Sequence, residues 1–310
     1  MPNHVTNKLK FKGKQEDILA LRNAIRPDVK ADQSDDGGGA LIDFEKIIPM
    51  PKDLRIESSS AVDNGMAVLM FKETGASEEL ASMLSWPWVK AEGISSVKEL
   101  AEYLLKEKRA DLILGQKALD NIKNYGHKDW YSWSTVKWGT KWNAYSQIEI
   151  DENEICFDTA WSSPYPVIKK LSRMFPKVEI LLQYADEDFG QNCGEVTLKA
   201  GKEIKENIPE GGSVEAYVLA SEVQGRDIEN MIEDYHDTED EEFATTIVDA
   251  VLQKVEPELV VDIAVDCENY CGTTTMLEVI KGELLSRELY ELVNKIDEKI
   301  KEVSMESEEN

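Results

Sequence analysis

An α+β fold in two parts is what this sequence predicts: a βαββαβ sandwich over residues 1–205, carrying a helical insertion at about 76–126, and an acidic, mainly helical module over 206–310. Three observations carry that expectation. Apolar residues alternate in short runs at the start of the chain and again from residue 146 to 199, they recur at helical spacing between those runs, and the charge changes abruptly at residue 200. Residues 1–200 hold 31 acidic and 26 basic side chains, a net of −5, whereas residues 201–310 hold 30 and 9, a net of −21.

In chain order, HVTNKLKFKG alternates, with Val5, Leu9 and Phe11 on one face, and predicts a strand that stops at Gly13. QEDILALRNAI follows with Ile18, Leu21, Ala24 and Ile25 on one helical face, and Pro27 ends it. ALIDFEKIIPMP, rich in Ile and closed by Pro49 and Pro51, reads as a second strand. In the insertion Ser77 and Ser96 are N-caps, and Ser96 with Glu99 has capping-box spacing. SQIEIDENEICFDTAW is a hairpin around Asp151-Glu152-Asn153. PYPVIKKLSRMF is a helix with Val167, Ile168, Leu171 and Phe175 on one face, and KVEILLQYA and GEVTLKAG are strands. That order, with its extra strand, is the order of a ferredoxin-like sandwich. From Ser213 onward SVEAYVLASEV, RDIENMIEDY, EEFATTIVDAVLQKV and a long final segment carry helical faces, and ELVVDIAV alone has strand character.

A hydrophobic content of 42% over 310 residues is ample for a buried core and excludes disorder of the whole chain. A net charge of −26 repels phosphates and anionic membranes and attracts basic proteins or cations, so direct binding of duplex DNA is not expected. No apolar run approaches the roughly 20 residues of a membrane span, and MPNHVTNKLKFKG lacks the apolar segment of a signal peptide, so a cytoplasmic location is expected. Cys156, Cys193, Cys267 and Cys271 lack a repeated metal-binding spacing and are expected to be reduced thiols.

Several phrases resemble one family. NHVTNKLKF, IDFEKIIPMPKDL, WGTKWNAY, FDTAWSSPYPVIKKLSRMFP and LQYADEDFGQNCGEV are similar to the YubB-like proteins of plasmids and phages. The resemblance covers most of residues 1–200 and fades across 60–125. It implies a ferredoxin-like domain and a mobile-element setting, and it implies no reaction and no catalytic residues.

Two groups of residues are candidate sites. Trp130, Trp133, Trp138, Trp142 and Trp161 lie close in sequence with Tyr131, Tyr145, Lys137 and Lys141. They form either a stacking platform for a flat ligand or single-stranded nucleic acid or the packing between sheet and insertion. The run ENMIEDYHDTEDEE has no Lys or Arg and carries Glu229, Glu233, Asp234, Asp237, Glu239, Asp240, Glu241 and Glu242. With Glu222 and Asp227 these carboxylates, set along helices, would imitate the phosphates of a duplex and engage a basic, DNA-binding host protein. A solvated acidic face is the plainer alternative.

Other patterns are weaker. Asp32, Ser34, Asp36, Gly37 and Asp43 partly match a calcium loop but read better as a turn, and Asp186, Glu187 and Asp188 read as a solvated loop. Cys267 and Cys271 lack a second ligand pair, and His4, His127 and His236 share no motif, so neither a metal, a cofactor nor a catalytic group is expected. Leu285, Leu289, Leu292, Ile296, Ile300 and Val303 form a stripe that packs on its own domain or pairs with a second copy over 285–303. The leading expectation is therefore a mobile-element protein that inhibits a host defence or repair system through its acidic module. The alternative is a ligand- or single-strand-binding module using the tryptophans.

Overall fold

The structure, a computed structural model, describes residues 2–27, 40–267 and 274–309. Strand β1 (His4–Lys12) buries Val5, Asn7, Leu9 and Phe11 on one face and turns Lys8, Lys10 and Lys12 to the other. Helix α1 (Gln15–Ile25) lays Ile18, Leu21 and Ile25 on the core and stops at Arg26, which is extended because Pro27 follows. Its buried Arg22 donates to the carbonyls of Asp151 and Glu152 at 3.0 and 2.9 Å, which ties the helix to a distant turn. Glu149 lies 2.8 Å from the same guanidinium, a charge contact without hydrogen-bond alignment.

The stretch ALIDFEKIIPMP, expected as a strand, forms a short 3-10 turn at Phe44–Lys46, and a second follows it at Lys52–Leu54. Side-chain amides replace a ladder there. The N–H groups of Leu41 and Ile42 both donate to Gln147 Oε1, and that of Phe44 donates to Asn143 Oδ1. Pro49 and Pro51 have no N–H to give. Ile42, Phe44, Ile47, Met50 and Leu54 still enter the core, so the apolar pattern reported burial and not pairing.

The insertion begins earlier than expected, with α2 (Ser60–Thr74), and continues through α3 (Glu78–Met83), α4 (Pro87–Ala91), α5 (Val97–Lys106) and α6 (Leu112–Tyr125). Ser77 caps α3, Ser96 and Glu99 form the expected box at α5, and Asp111 caps α6. Its core is separate, built from Ala67, Val68, Leu80, Met83, Val89, Leu100, Ala101 and Leu104. Helices α2 and α6 meet backbone to backbone at Gly65 and Gly115. A short helix α7 (Trp130–Lys137) leads back to the sheet.

The hairpin is β2 (Tyr145–Asp151) and β3 (Glu154–Ala160), followed by α8 (Tyr165–Met174), β4 (Glu179–Asp186), β5 (Gly194–Lys199) and β6 (Lys202–Asn207). The six strands run β2-β3-β1-β4-β5-β6, every neighbouring pair antiparallel. Strand β6 was not expected, because all its side chains are exposed and leave no apolar alternation. Helices α1 and α8 pack into the core with Leu9, Phe11, Ile155, Phe157, Ile180, Leu182, Val196 and Leu198. On the opposite face α9 (Val214–Gln224) meets β4 and β1 around Ala185, and Lys8 Nζ donates to the Glu222 carbonyl at 2.8 Å.

Beyond α9 come α10 (Asn230–Asp234), α11 (Glu241–Leu252), α12 (Pro257–Asp266), α13 (Thr275–Ser286) and α14 (Tyr290–Glu309). ELVVDIAV, expected as a strand, is most of α12: Pro257 starts it, and Val260, Val261 and Ala264 share a buried helical face. RDIENMIEDY holds only the short α10, and the long final segment is two helices broken at Glu288, whose φ is +61°. Of the terminal stripe, Leu292, Ile296 and Val303 are buried in the chain's own core, Leu289 and Ile300 pack against it, and Leu285 stays exposed on α13. Cys156, Cys193 and Cys267 are unbridged, while Cys271 and the loop of Asp32, Ser34, Asp36 and Gly37 lie outside the described residues. Among the described residues no helix is long and apolar enough to cross a membrane.

A Cβ at Gly65 would stand 2.0 Å from the Asp111 carbonyl oxygen, and one at Gly115 would stand 2.6 Å from the Gly65 carbonyl carbon. Gly65→Ala is therefore expected to cost about 1–3 kcal/mol by overpacking. Gly282→Ala on α13, where nothing lies within 4 Å, is expected to be neutral or to stabilise by up to about 1 kcal/mol. Urea unfolding of both variants against the parent measures the contrast.

Candidate ligand-binding site

The tryptophans divide into pillars and a shelf. Asp129 caps α7, with its Oδ1 accepting from the Ser132 N–H at 2.8 Å, and sets Trp133 inward. Trp133 and Trp138 are both buried, meet edge to face at 5.4 Å, and Trp138 does the same with Phe44 at 5.8 Å. The Trp138 Nε1–H donates to the Ile48 carbonyl at 2.9 Å, so its one polar atom is satisfied. These two are core residues. Trp130 is half-buried beside them.

After Trp138 the chain reverses at Gly139, whose φ is +79° and where a Cβ would meet the Pro166 ring at 2.6 Å. Thr140 Oγ1 then donates to the Ala160 carbonyl at 2.8 Å, which sets Lys141 and Trp142 alongside Trp161. Trp161 has φ +73°, a conformation costing a bulky side chain about 1–2 kcal/mol. Its N–H is held by the Asn3 carbonyl at 2.9 Å, and Asn192 Nδ2 donates to its carbonyl at 3.3 Å. Trp142 and Trp161 remain 38% and 41% exposed. The Lys141 ammonium lies between them, 4.7 Å from each ring centre.

Lys141 and Trp142, but not Trp161, line a cavity of about 540 Å³ together with Trp130, Trp138, Asn143 and Arg55, with Glu45, Glu57, Met50 and Ile56 completing the wall. The wall is already cross-braced. Glu45 pairs with Arg55 at 2.8 Å and accepts the Met50 N–H at 2.9 Å, and Asn143 bridges Phe44 and Asp43. Among the described residues no carboxylate lies within ion-pair distance of Lys141. Its charge is held by two indole faces, an attraction of about 0.5–2 kcal/mol that leaves the N–H groups free for an anion. Sequence reasoning singled out the tryptophans and Lys141 but not Glu45, in the 3-10 turn Phe44–Lys46, or Arg55, just after the second such turn.

Tyr145 extends the shelf, edge-on to Trp142 at 6.2 Å, with its hydroxyl 2.8 Å from His4 Nδ1. Burial, then the charges of Asp158 and Glu187, push its pKa up to about 12. Asp158 is itself raised, chiefly by burial, although Thr6 Oγ1 donates to it at 3.2 Å.

The acidic run is split over α10, a turn and the start of α11. Glu233, Asp234, Asp237, Glu239, Asp240, Glu241 and Glu242 are exposed, and Glu229 is half-buried. Several have local work. Asp240 caps α11 by accepting the Phe243 N–H at 3.0 Å, Glu241 and Glu242 stand in its first turn against the helix dipole, and Asp234 pairs with Arg226 at 2.5 Å. Glu239 and Glu241 line a cleft of about 460 Å³ with Glu278 and Glu283 of α13, two carboxylates that sequence reasoning missed. The buried Asp186 accepts from Asn3 and Asn192 at 3.0 Å each and from the Asp188 N–H at 3.1 Å, so its carboxylate is a brace. Among the described residues no group of three or more His, Cys, Asp or Glu is arranged to hold a metal.

A tyrosine pKa raised from 10 to about 12 means that the folded chain keeps a proton which the unfolded chain has lost. The associated stability is fully present below pH 10 and declines as pH rises toward 12. Tyr145→Phe is expected to make the fall in stability across that window shallower than in the parent, read by urea midpoints at pH 9, 10 and 11, with equal slopes refuting it.

Residues 137–250 match the family model described as a ferredoxin-like domain in Api92-like protein. Among curated proteins none matches the sequence. A crystal structure of Api92 from Yersinia pseudotuberculosis aligns with a TM-score of 0.30 and 11% identity over 67% of this chain and 98% of that one. The chain is thus a mixed α/β protein with an antiparallel sheet and a ferredoxin-like domain similar to that of Api92-like proteins.

Proposed function

We propose that the chain is a binding protein whose ferredoxin-like part holds a flat ligand bearing a negative charge, a mononucleotide or a base of a short single strand, on the Trp142–Lys141–Trp161 shelf. The observation that carries this reading is the lysine clamped between two exposed indoles, with Lys141 and Trp142 in the wall of a ligand-sized cavity. Packing does not account for it. A large side chain left exposed, with an unfavourable backbone angle at Trp161, is the kind of local inconsistency that folds retain at functional places. Stacking on Trp142 supplies contact for any base, and Lys141 supplies the charge for a phosphate.

In this reading residues 1–205 form the ligand-holding domain, with β1, α1, β2, β3, α8 and β4 as its βαββαβ unit and β5 and β6 as an added edge. The strand order β2-β3-β1-β4 supports that assignment. Residues 206–310 form the second module. Titration with AMP is expected to quench tryptophan emission. Trp142→Ala weakens binding about tenfold or more, and Lys141→Gln weakens AMP but spares adenosine. Absence of any response to nucleotides or oligothymidylate sinks the reading.

A second reading rests on a different observation: of the eight carboxylates from Glu229 to Glu242, only Asp234 has a Lys or Arg within ion-pair distance among the described residues. The module then engages a basic, DNA-binding host protein, in the mobile-element setting that the YubB-like resemblance implies. Its effect is inhibition by occlusion. Occupation of the partner's DNA site predicts that duplex DNA and raised salt both release a captured partner. Replacing the eight acids by their amides abolishes capture; unchanged capture removes this reading.

A further inference from the structure

The helical insertion contains a pocket of its own, independent of the Trp142 shelf. A cavity of about 540 Å³ opens between α2, α3, α4 and α5. Buried Ala67, Met83 and Leu104 line it with Trp88, Arg109 and the 46% exposed Trp86, and polar side chains of α2 and α3, among them Asp63, Asn64 and Glu79, form much of the rest of the wall. Trp86 and Trp88 meet edge to face at 6.5 Å.

Arg109 is held there by the way α5 ends. Lys108 adopts φ +54°, and the Arg109 N–H returns to the Leu104 carbonyl at 2.8 Å. The Arg109 carbonyl then accepts from Asn64 Nδ2 at 2.8 Å, tying the turn to α2. These bonds hold the guanidinium 5.1 Å from the Trp88 ring centre and 5.8 Å from that of Tyr103. Burial and the neighbouring Glu92 push the Tyr103 hydroxyl pKa up, so the ring stays neutral under its cation.

Among the described residues nothing accepts a side-chain hydrogen bond or ion pair from the Arg109 guanidinium. The two acids lining the pocket are engaged elsewhere: Asp63 pairs with Lys128, and Glu79 accepts from Ser77 Oγ at 3.3 Å. An arginine stacked on rings keeps its N–H edge available, and that planar fork matches a carboxylate in two parallel bonds. The pocket volume lies in the range of small-molecule sites, and indoles and a methionine suit a flat apolar body. With Arg109 as the one cation, among the described residues, in a wall that also holds Asp63 and Glu79, the local charge suits a monoanion.

We propose that this pocket binds a small organic carboxylate with a flat apolar body, Arg109 taking the carboxylate and Trp86, Trp88 and Met83 the body. Calorimetric titration of the full chain with naphthoate, and with its neutral analogue naphthamide, tests it. Naphthoate is expected to bind, and naphthamide to bind about tenfold or more weakly. Arg109→Gln lowers naphthoate affinity by about ten- to hundredfold and leaves naphthamide unchanged. Arg109→Lys, which keeps a cation over the rings and guards against misfolding, also loses most of the preference for the carboxylate. Trp86→Ala weakens both probes. Equal binding of the two probes, no binding of either, or naphthoate affinity indifferent to both Arg109 variants overturns the proposal. So does loss of naphthoate binding in Lys141→Gln with Arg109→Gln unaffected, because the probe then occupies the other cavity.

Discussion

Strand β1 is hydrogen-bonded on both sides, to β3 and to β4, and most of the molecule is attached through it. Val5 faces Thr159 on one neighbour and Asp186 on the other, so the pairing closes loops of well over a hundred residues. Closure entropy grows only with the logarithm of loop length, about 0.6 kcal/mol for each doubling. A helical insertion between α1 and β2 is therefore cheap once β1 is paired. Buried Asn7 stabilises the strand's position, its amide donating to the Val5 carbonyl and to Thr159 Oγ1 at 2.8 Å each. The N-terminal end of the same strand supports the shelf: His4 meets Tyr145, and Asn3, just before it, receives the N–H of Trp161.

The two candidate surfaces differ in how much of their chemistry the fold explains. In the acidic run a cap, a first-turn pair and an ion pair give Asp240, Glu241, Glu242 and Asp234 reasons to be acidic that need no partner. Trp133 and Trp138 likewise have structural reasons, as pillars of the core. Trp142, Lys141 and Trp161, and Arg109 in the insertion, make cation–π contacts but leave ring faces or N–H groups without a partner among the described residues. Residues whose placement is unfavourable or unneeded for folding are where binding is most economically sought.

Legibility in the sequence followed one rule: an element was readable where its burial had a period of its own. Strands β1 and β3 and helices α1 and α8 each bury a regular stripe and stood where alternation or helical spacing put them, and β4, largely buried on both faces, stood where its apolar run put it. Strand β6 buries nothing, so it left no pattern. The stretch from Leu41 to Met50 is apolar without pairing, since Gln147 and Asn143, a hundred residues away, take its N–H groups. Val-rich α12 looked like a strand because β-branched residues favour sheets on average, but packing of its helical face against the rest of the module overrode that preference. At the shelf the tryptophans were visible as composition. Which were pillars and which were exposed depended on the reversal at Gly139 and the left-handed Trp161, and no local signal encodes the meeting of those two turns.

Charge restricts what the shelf can hold. The pocket stands on the core cluster of the helix-covered face, whereas the −21 module is anchored through α9 on the other. Exposed charges separated by more than the Debye length, about 8 Å at physiological ionic strength, are largely screened from each other. A ligand with one phosphate next to Lys141 therefore feels mainly its immediate surroundings, where Lys141 is unpaired and Arg55 is offset by Glu45. A long single strand is different, because each further nucleotide adds a charge that the one Lys141 ammonium, already engaged by the first phosphate, does not meet. Repulsion accumulates with length while stacking is limited to the exposed indoles. In the proposed reading, the tryptophan-lysine arrangement therefore favours a short ligand over a polymer.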